Sequence, residues 1–257
     1  MRGRLRDRGL DLHALALAVP RFYVDAPLRA GGVVSLPEDG AHHAVHVLRI
    51  RAGDEVTLFN GRGGEYGARV ASIQKLRVAL DVLEHRAVER ESPMHVALVQ
   101  GVSSGERMEF TIRKAVELGV AEIHPVLAAS SIARPKGERA ASRQAHWQRI
   151  AISACEQCGR NTIPTVHPLR DLPFAPQGKC GKILLTPRAE AAFSKLIPKE
   201  ETSFVIAAGP EAGFDAGEEA AFVEAGFVPA KLGARVLRTE TAALAALAAL
   251  SALRGDF

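Results

Sequence analysis

The chain has 257 residues, 47% of them apolar, and a formal charge of +4, enough for two modest cores and compatible with a nucleic-acid partner without demanding one. Its most apolar helical run, Ala243 to Leu253, reaches about half a membrane span and is mostly alanine. Three cysteines exclude a disulfide framework, so the composition describes a soluble protein of a reducing, cytoplasmic compartment with no membrane partner.

Residues 1–20 carry four arginines and then a short apolar patch. Asp11 and His13 interrupt that patch, so the segment is read as an upstream start or a disordered N-terminal extension rather than a secretory leader. From Arg21 onward the runs are short and β-like: Phe22 to Val24, Gly32 to Leu36, Asp54 to Phe59, Glu65 to Ile73 and Arg77 to Leu83. They predict a small β-barrel over residues 21–90, with a turn at Asn60-Gly61 and one inserted helix over Pro37 to Leu48. The charged stretch Glu84 to Pro93 reads as a linker.

Over residues 91–257 the pattern changes to strands alternating with helices, which predicts an α/β domain with a parallel sheet. Met94 to Val99, Ile183 to Thr186 and Phe204 to Ala208 are continuous apolar runs suited to buried strands. Helices are predicted from Arg107 to Leu118, closed by Gly119, and from Glu138 to Cys158, closed by Gly159. Asp215 followed by Glu218 has the form of a capping box, and that helix ends near Gly226. The last helix aligns Leu244, Leu247 and Leu250 among alanines.

No metal site is expected. Cys155 and Cys158 form a single C-x-x-C, and their spacing from Trp147, Ala151 and Ala154 places them on a buried helical face. Cys180 leaves a zinc set incomplete, while His42, His43 and His46 lack the acidic partner of an H-E-x-x-H site.

Two polar loops carry the functional signal. Ala207-Ala208-Gly209-Pro210-Glu211-Ala212-Gly213-Phe214 ends an apolar strand in a Gly/Pro turn. Leu232-Gly233-Ala234-Arg235-Val236-Leu237-Arg238-Thr239-Glu240-Thr241-Ala242 runs into the alanine-leucine helix. Two such loops imply one shared pocket. Both resemble the SPOUT class of RNA methyltransferases, and within it the RsmE family, whose loops read close to GPEGGF and LGxRILRTETA. Arg21-Phe22-Tyr23-Val24, Val47-Leu48-Arg49, Arg113 to Val120 and Glu156-Gln157-Cys158-Gly159-Arg160 are also family-like.

The resemblance implies a PUA-like RNA-binding barrel, then a SPOUT-type parallel sheet with a C-terminal trefoil knot, in a homodimer. It implies S-adenosyl-L-methionine as cofactor and N3 of a specific uridine in 16S ribosomal RNA, within the small ribosomal subunit, as target. Cofactor contacts are expected from Leu185, Thr186, Ala207, Gly209, Pro210, Gly213, Leu232, Gly233, Leu237 and Thr239. Arg238 is the candidate for stabilising negative charge on the uracil, because a guanidinium stays charged and offers paired donors. Glu211 and Glu240 are candidate bases or positioning groups; equally, Glu211 can bridge loops and Glu240 can serve the helix dipole. RNA contacts are expected from Arg21, His43, Arg49, Arg62, Arg113 and Lys114. Ala212 replaces a family glycine; if that position required positive φ, alanine would cost about 1 kcal/mol, so a conformation open to any residue is expected. Another base, a ribose 2′-hydroxyl, or a non-catalytic ribosome-assembly role are the alternatives that share these loops.

Overall fold

The computed structural model describes residues 19–131, 134–172, 174, 176, 178 and 180–257. The expected extension over residues 1–20 therefore lies outside the described residues except at its end. The chain forms two compact units, one ending at Val88 and one running from Glu89 to Phe257.

In the first unit, β1 (Arg21–Tyr23), β3 (Glu55–Phe59), β4 (Glu65–Gln74), β5 (Arg77–Arg86) and β2 (Val33–Ser35) follow one another across a five-stranded sheet. β1 and β3 are parallel; the other pairs are antiparallel. Register shifts at Gly67/Ala68 and Val70/Ser72 bulge the long β4–β5 pair and add twist, curling the sheet round Phe22, Val56, Leu58, Val70 and Leu80. The inserted helix is α1 (Glu38–His42) continuing into a π-helical turn, His43–Val47, and it buries Ala41 and Ala44 in that core. Asn60-Gly61 does turn the chain, with Gly61 at φ +78°.

The linker expectation fails at both ends. Glu84, His85 and Arg86 continue β5 opposite Gly67, Tyr66 and Glu65 beyond the bulge, with their charged side chains exposed to solvent. Glu91 belongs to the second unit: its carboxylate takes Arg160 Nε at 2.7 Å and the Asn161 and Thr162 N–H groups, each at 3.0 Å.

The second unit is built on β6 (His95–Gly101), α2 (Gly105–Glu117), β7 (Glu122–Leu127), α3 (Glu138–Cys158), β8 (Thr165–Val166), β9 (Arg170–Asp171), β10 (Gly181–Leu185), β11 (Ser203–Ala208), α4 (Ala216–Glu224), β12 (Val228–Ala230) and α5 (Thr239–Arg254). The parallel sheet runs β12-β10-β11-β6-β7-β8, with β9 also on β7. Phe214, Phe222 and Phe227 cover one face over Leu184, Val205 and Ala207. α5 packs on α2 and β11, and it buries Ala243, Ala246, Leu247 and Leu250; Leu244, expected in the stripe, is only half-buried. Asp215 and Glu218 form the predicted capping box, and Gly159 closes α3 in the left-handed conformation. Cys155 is buried, and desolvation pushes its thiol up to about 12, whereas Cys158 is half-buried.

Candidate active site

β10 lies between β12 and β11, and the register sets Leu185 beside Ala230 on one side and Ala208 on the other. The three strands are parallel, so the segments beginning at Thr186, Gly209 and Lys231 leave the sheet at one level, at its carboxyl edge. The three segments that carry the predicted cofactor residues therefore begin at the same end of the domain.

Hydrogen bonds then tie the loops together. Thr186 N–H donates to Ala230 O at 3.0 Å, and its hydroxyl accepts from Arg188 N–H at 3.3 Å. The Arg188 guanidinium crosses to the next loop, donating to Phe214 O at 2.9 Å and pairing with Glu219 at 2.6 Å. Within that loop Gly213 N–H closes a turn on Pro210 O at 2.8 Å, with Gly213 at φ +74°. Positive φ falls on Gly213 and not on Ala212, so alanine in place of the family glycine carries no backbone strain. Gly209 serves packing instead: a Cβ there would stand 2.8 Å from Phe214 N. In the third loop Gly233 sits at φ +99° with open space around it. Buried Thr239 donates its hydroxyl to Gly209 O and accepts from Gln100 Nε2 at 3.2 Å.

β6 has β11 on one side and β7 on the other, and the chain leaves toward β7 before returning to β10 and β11. Connections that diverge from neighbouring parallel strands open a crevice at their carboxyl ends. Here it has a volume of about 540 Å³ and is lined by Ser103, Arg107, Ser130, Arg143, Pro210 and Glu211. Gly101 permits Pro210 to close its floor, since a Cβ would meet the proline ring at 2.4 Å.

Glu211 holds the rim of this crevice, accepting from Ser104 N–H at 2.9 Å and facing Arg107 at 3.3 Å. Desolvation raises its pKa, but the hydrogen bonds at Ser104 and its own N–H, together with Arg107, outweigh that and hold the carboxyl below its ordinary value. A carboxylate held this way is a weaker base than an ordinary one, and its hydrogen bond joins the loop to the start of α2. Arg238 is exposed immediately before α5 and has no ion-pair partner among the described residues. Glu240 is half-buried in the first turn of α5, with a buried Oε2 that finds no hydrogen-bond donor among the described residues; Gln100 Oε1 is in the same state.

The predicted RNA-contact residues divide by what already occupies them. His43, Arg49 and Arg62 are exposed on the first unit, Arg49 with a φ of +55° that is uncommon for a side-chain-bearing residue. Arg113 is exposed on α2. Arg21, by contrast, is 13% exposed in its side chain, pairs with Glu65 at 2.6 Å and lies over the Phe59 ring, so it braces the sheet and presents little charge to a phosphate. Lys114 is half-buried and bonded to Glu117 at 2.8 Å.

The functional segments fall inside two recognised domains. Residues 90–251 match the RNA methyltransferase domain family, and residues 36–83 match the RNA methyltransferase PUA domain family. Ribosomal RNA small subunit methyltransferase E of Buchnera aphidicola subsp. Schizaphis graminum is 34% identical over 93% of this chain and 98% of its own length. The chain belongs to the ribosomal RNA small subunit methyltransferase E family. The Bacillus subtilis member is 32% identical, covering 86% of this chain and 92% of that one. The crystal structure of the Neisseria gonorrhoeae member, bound to S-adenosyl methionine, aligns with a TM-score of 0.84 at 40% identity, covering 92% of this chain and 98% of that one. A putative methyltransferase from Legionella pneumophila, in complex with SAM, aligns at 0.87 with 36% identity, covering 91% and 98%. The SPOUT-type α/β domain preceded by a PUA-like unit is therefore the fold of this family member as well.

Sequence reasoning missed Gln100, Gly101, Arg107, Arg143 and Arg188. Gln100 alone gave a local signal, an amide at the end of an otherwise apolar strand.

Proposed function

We propose that this protein transfers a methyl group from S-adenosyl-L-methionine to N3 of a specific uridine in 16S ribosomal RNA, acting on the small ribosomal subunit as a cytoplasmic homodimer. The observation that carries the reading is the common level of Leu185, Ala208 and Ala230, which supports a single site shared by the three family loops. The unmet acceptors Gln100 Oε1 and Glu240 Oε2 suit a ligand that brings N–H donors, and Gly213 and Gly233 leave room for it to approach the backbone.

When bound, the cofactor supplies an electrophilic methyl group on a positively charged sulfur. Leu185, Thr186, Ala207, Gly209, Pro210, Gly213, Leu232, Gly233, Leu237 and Thr239 hold it through the loop backbone and the Thr186 and Thr239 junctions. The crevice bordered by Arg107, Arg143 and Glu211 receives the uridine. Loss of the weakly acidic N3 proton to solvent would leave an imidate whose negative charge is shared by the flanking carbonyl oxygens until N3 takes up the methyl group. Arg238, exposed and charged, stabilises that charge, while Glu211 stays ionised and fixes the loop to α2. His43, Arg49, Arg62 and Arg113 hold phosphates and orient the strand. The C-terminal segment, locked by Thr239 to Gly209, is read as the threaded part of a trefoil knot. No helix among the described residues is long and apolar enough to cross a membrane.

The test is transfer of labelled methyl to small subunits that lack the modification, followed by nucleoside analysis. Label in 3-methyluridine supports the proposal; label only in another nucleoside or in a 2′-O-methylribose contradicts it.

A further inference from the structure

His95, Glu122, His124 and His167 converge at the amino-terminal edge of the parallel sheet, the end opposite the cofactor loops. Glu122 begins β7 in register with Ala97 of β6 and Thr165 of β8, and side chains two residues apart along a strand share a face. His95, Glu122, His124 and His167 therefore stand on one face, contributed by three stretches of chain. Glu122 Oε2 is 3.1 Å from His124 Nε2 and 2.8 Å from His167 Nε2, and Glu122 Oε1 is 3.2 Å from His95 Nε2. One ligand atom from each of Glu122, His124 and His167 lies within 4.8 Å of the others.

His124 is 5% exposed, and its ring is stacked on His167 at 4.0 Å between centroids. Its Nδ1 is buried without a hydrogen-bond partner among the described residues. The other ring nitrogen, Nε2, points at the Glu122 carboxylate, and that is the atom His124 would offer an ion. The cluster borders a cavity of about 870 Å³, and His95 is 57% exposed in its side chain, so an ion has a route in.

We propose that Glu122, His124 and His167 form a binding site for one divalent transition-metal ion of the zinc class, with His95 beside Glu122 at its entrance. Ligand atoms about 2.0–2.2 Å from a tetrahedral ion stand about 3.3 Å apart, close to the separations already present around the Glu122 carboxylate. Coordination replaces the hydrogen bonds to Glu122 and tilts the half-buried His167 ring so that its lone pair meets that of His124. Imidazole and a single carboxylate select zinc-class ions; magnesium and calcium need mostly oxygen. Arg170, whose guanidinium lies 4.9 Å over Phe174 in the same cavity, repels any cation there, so the bonds to the ligand atoms have to outweigh its charge. The ion would pin the start of β7 to the segment after β8, and the site is independent of methyl transfer.

The test is titration of the full-length protein, prepared without a histidine tag, with Co²⁺ as a visible probe. One equivalent should bind with the intense absorption of a tetrahedral ion, and Zn²⁺ should displace it. His167→Gln and Glu122→Gln, both at partly exposed positions that preserve packing, should each weaken binding at least about ten-fold, the scale of a disturbed metal site. Replacing His42, His43 and His46 together by Gln should leave it unchanged, and Zn²⁺ should raise the melting temperature of the parent but not of His167→Gln. Absence of bound Co²⁺, or binding that survives both Glu122→Gln and His167→Gln, or binding lost with His42, His43 and His46, would overturn the proposal.

Discussion

Gln100 and Thr239, at the end of β6 and the start of α5, are joined by a 3.2 Å hydrogen bond from the Gln100 amide to the Thr239 hydroxyl, which itself donates to Gly209 O. Through this pair the last loop, the GPEAGF loop and the central strand hold one another in place. Thr239→Val keeps the side-chain shape but removes both bonds from a buried site, and is expected to cost about 1–3 kcal/mol. Thermal unfolding and calorimetry with S-adenosylmethionine should show a lower melting temperature and weaker cofactor binding. A variant that melts and binds like the parent would remove the junction from the account.

Gly101 makes an independent demand on the same region. In Gly101→Ala the new methyl would lie 2.4 Å from the Pro210 ring and 2.5 Å from its nitrogen, and backbone has to move to relieve it. Destabilisation of about 1–3 kcal/mol is expected, as for other overpacked sites, with impaired cofactor affinity. Gly105→Ala is the matched control, since nothing lies within 4 Å of its Cβ, and denaturant unfolding should place it within about 0.5 kcal/mol of the parent.

What was legible in the sequence was local. Asp215 and Glu218 lie three residues apart, and their capping box follows from that spacing alone; Gly119 and Gly159 stop their helices for similarly local reasons. β7 was invisible because Glu122, His124 and Pro125 interrupt an apolar strand pattern, and β12 because Pro229 sits at its centre. The loops of the candidate site could be named from motif resemblance. The residues that lock them could not, because Gln100 meets Thr239 across 139 positions and Arg188 meets Phe214 across 26. At Arg21 the converse holds: its charge is visible in the sequence, its partner Glu65 is not.

Glu211 supplies a pH argument. Its folded-state pKa lies below the ordinary 4.5, so its contribution to stability is complete above that value and is lost as pH falls through the lower folded-state value. Nothing about it changes at neutral or alkaline pH. Glu211→Gln is therefore expected to raise KM for RNA while leaving the shape of the pH–rate profile between about pH 6 and about pH 9 unaltered. Disappearance of a limb of that profile would make Glu211 the proton acceptor and contradict its role as a clamp.

We propose that Arg238 acts in the chemical step. Arg238→Ala should lower kcat by about 10²–10³, the cost of losing one donor aimed at developing negative charge, with cofactor affinity within about two-fold of the parent. Arg238→Lys should recover only part of the rate, because a point charge does not reproduce the guanidinium fork. Single-turnover kinetics alongside calorimetry separates the two effects, and an unchanged rate would exclude Arg238 from the chemistry.

The central claim is methylation at uracil N3, which blocks the Watson–Crick edge of the base. Primer extension across small-subunit RNA, after incubation of unmodified subunits with the protein and S-adenosylmethionine, reads that edge directly. The account requires a strong cofactor-dependent arrest at one uridine, at full nucleotide concentration. Methyl incorporation without any such arrest would place the group on a ribose or on a non-pairing atom, and would contradict it.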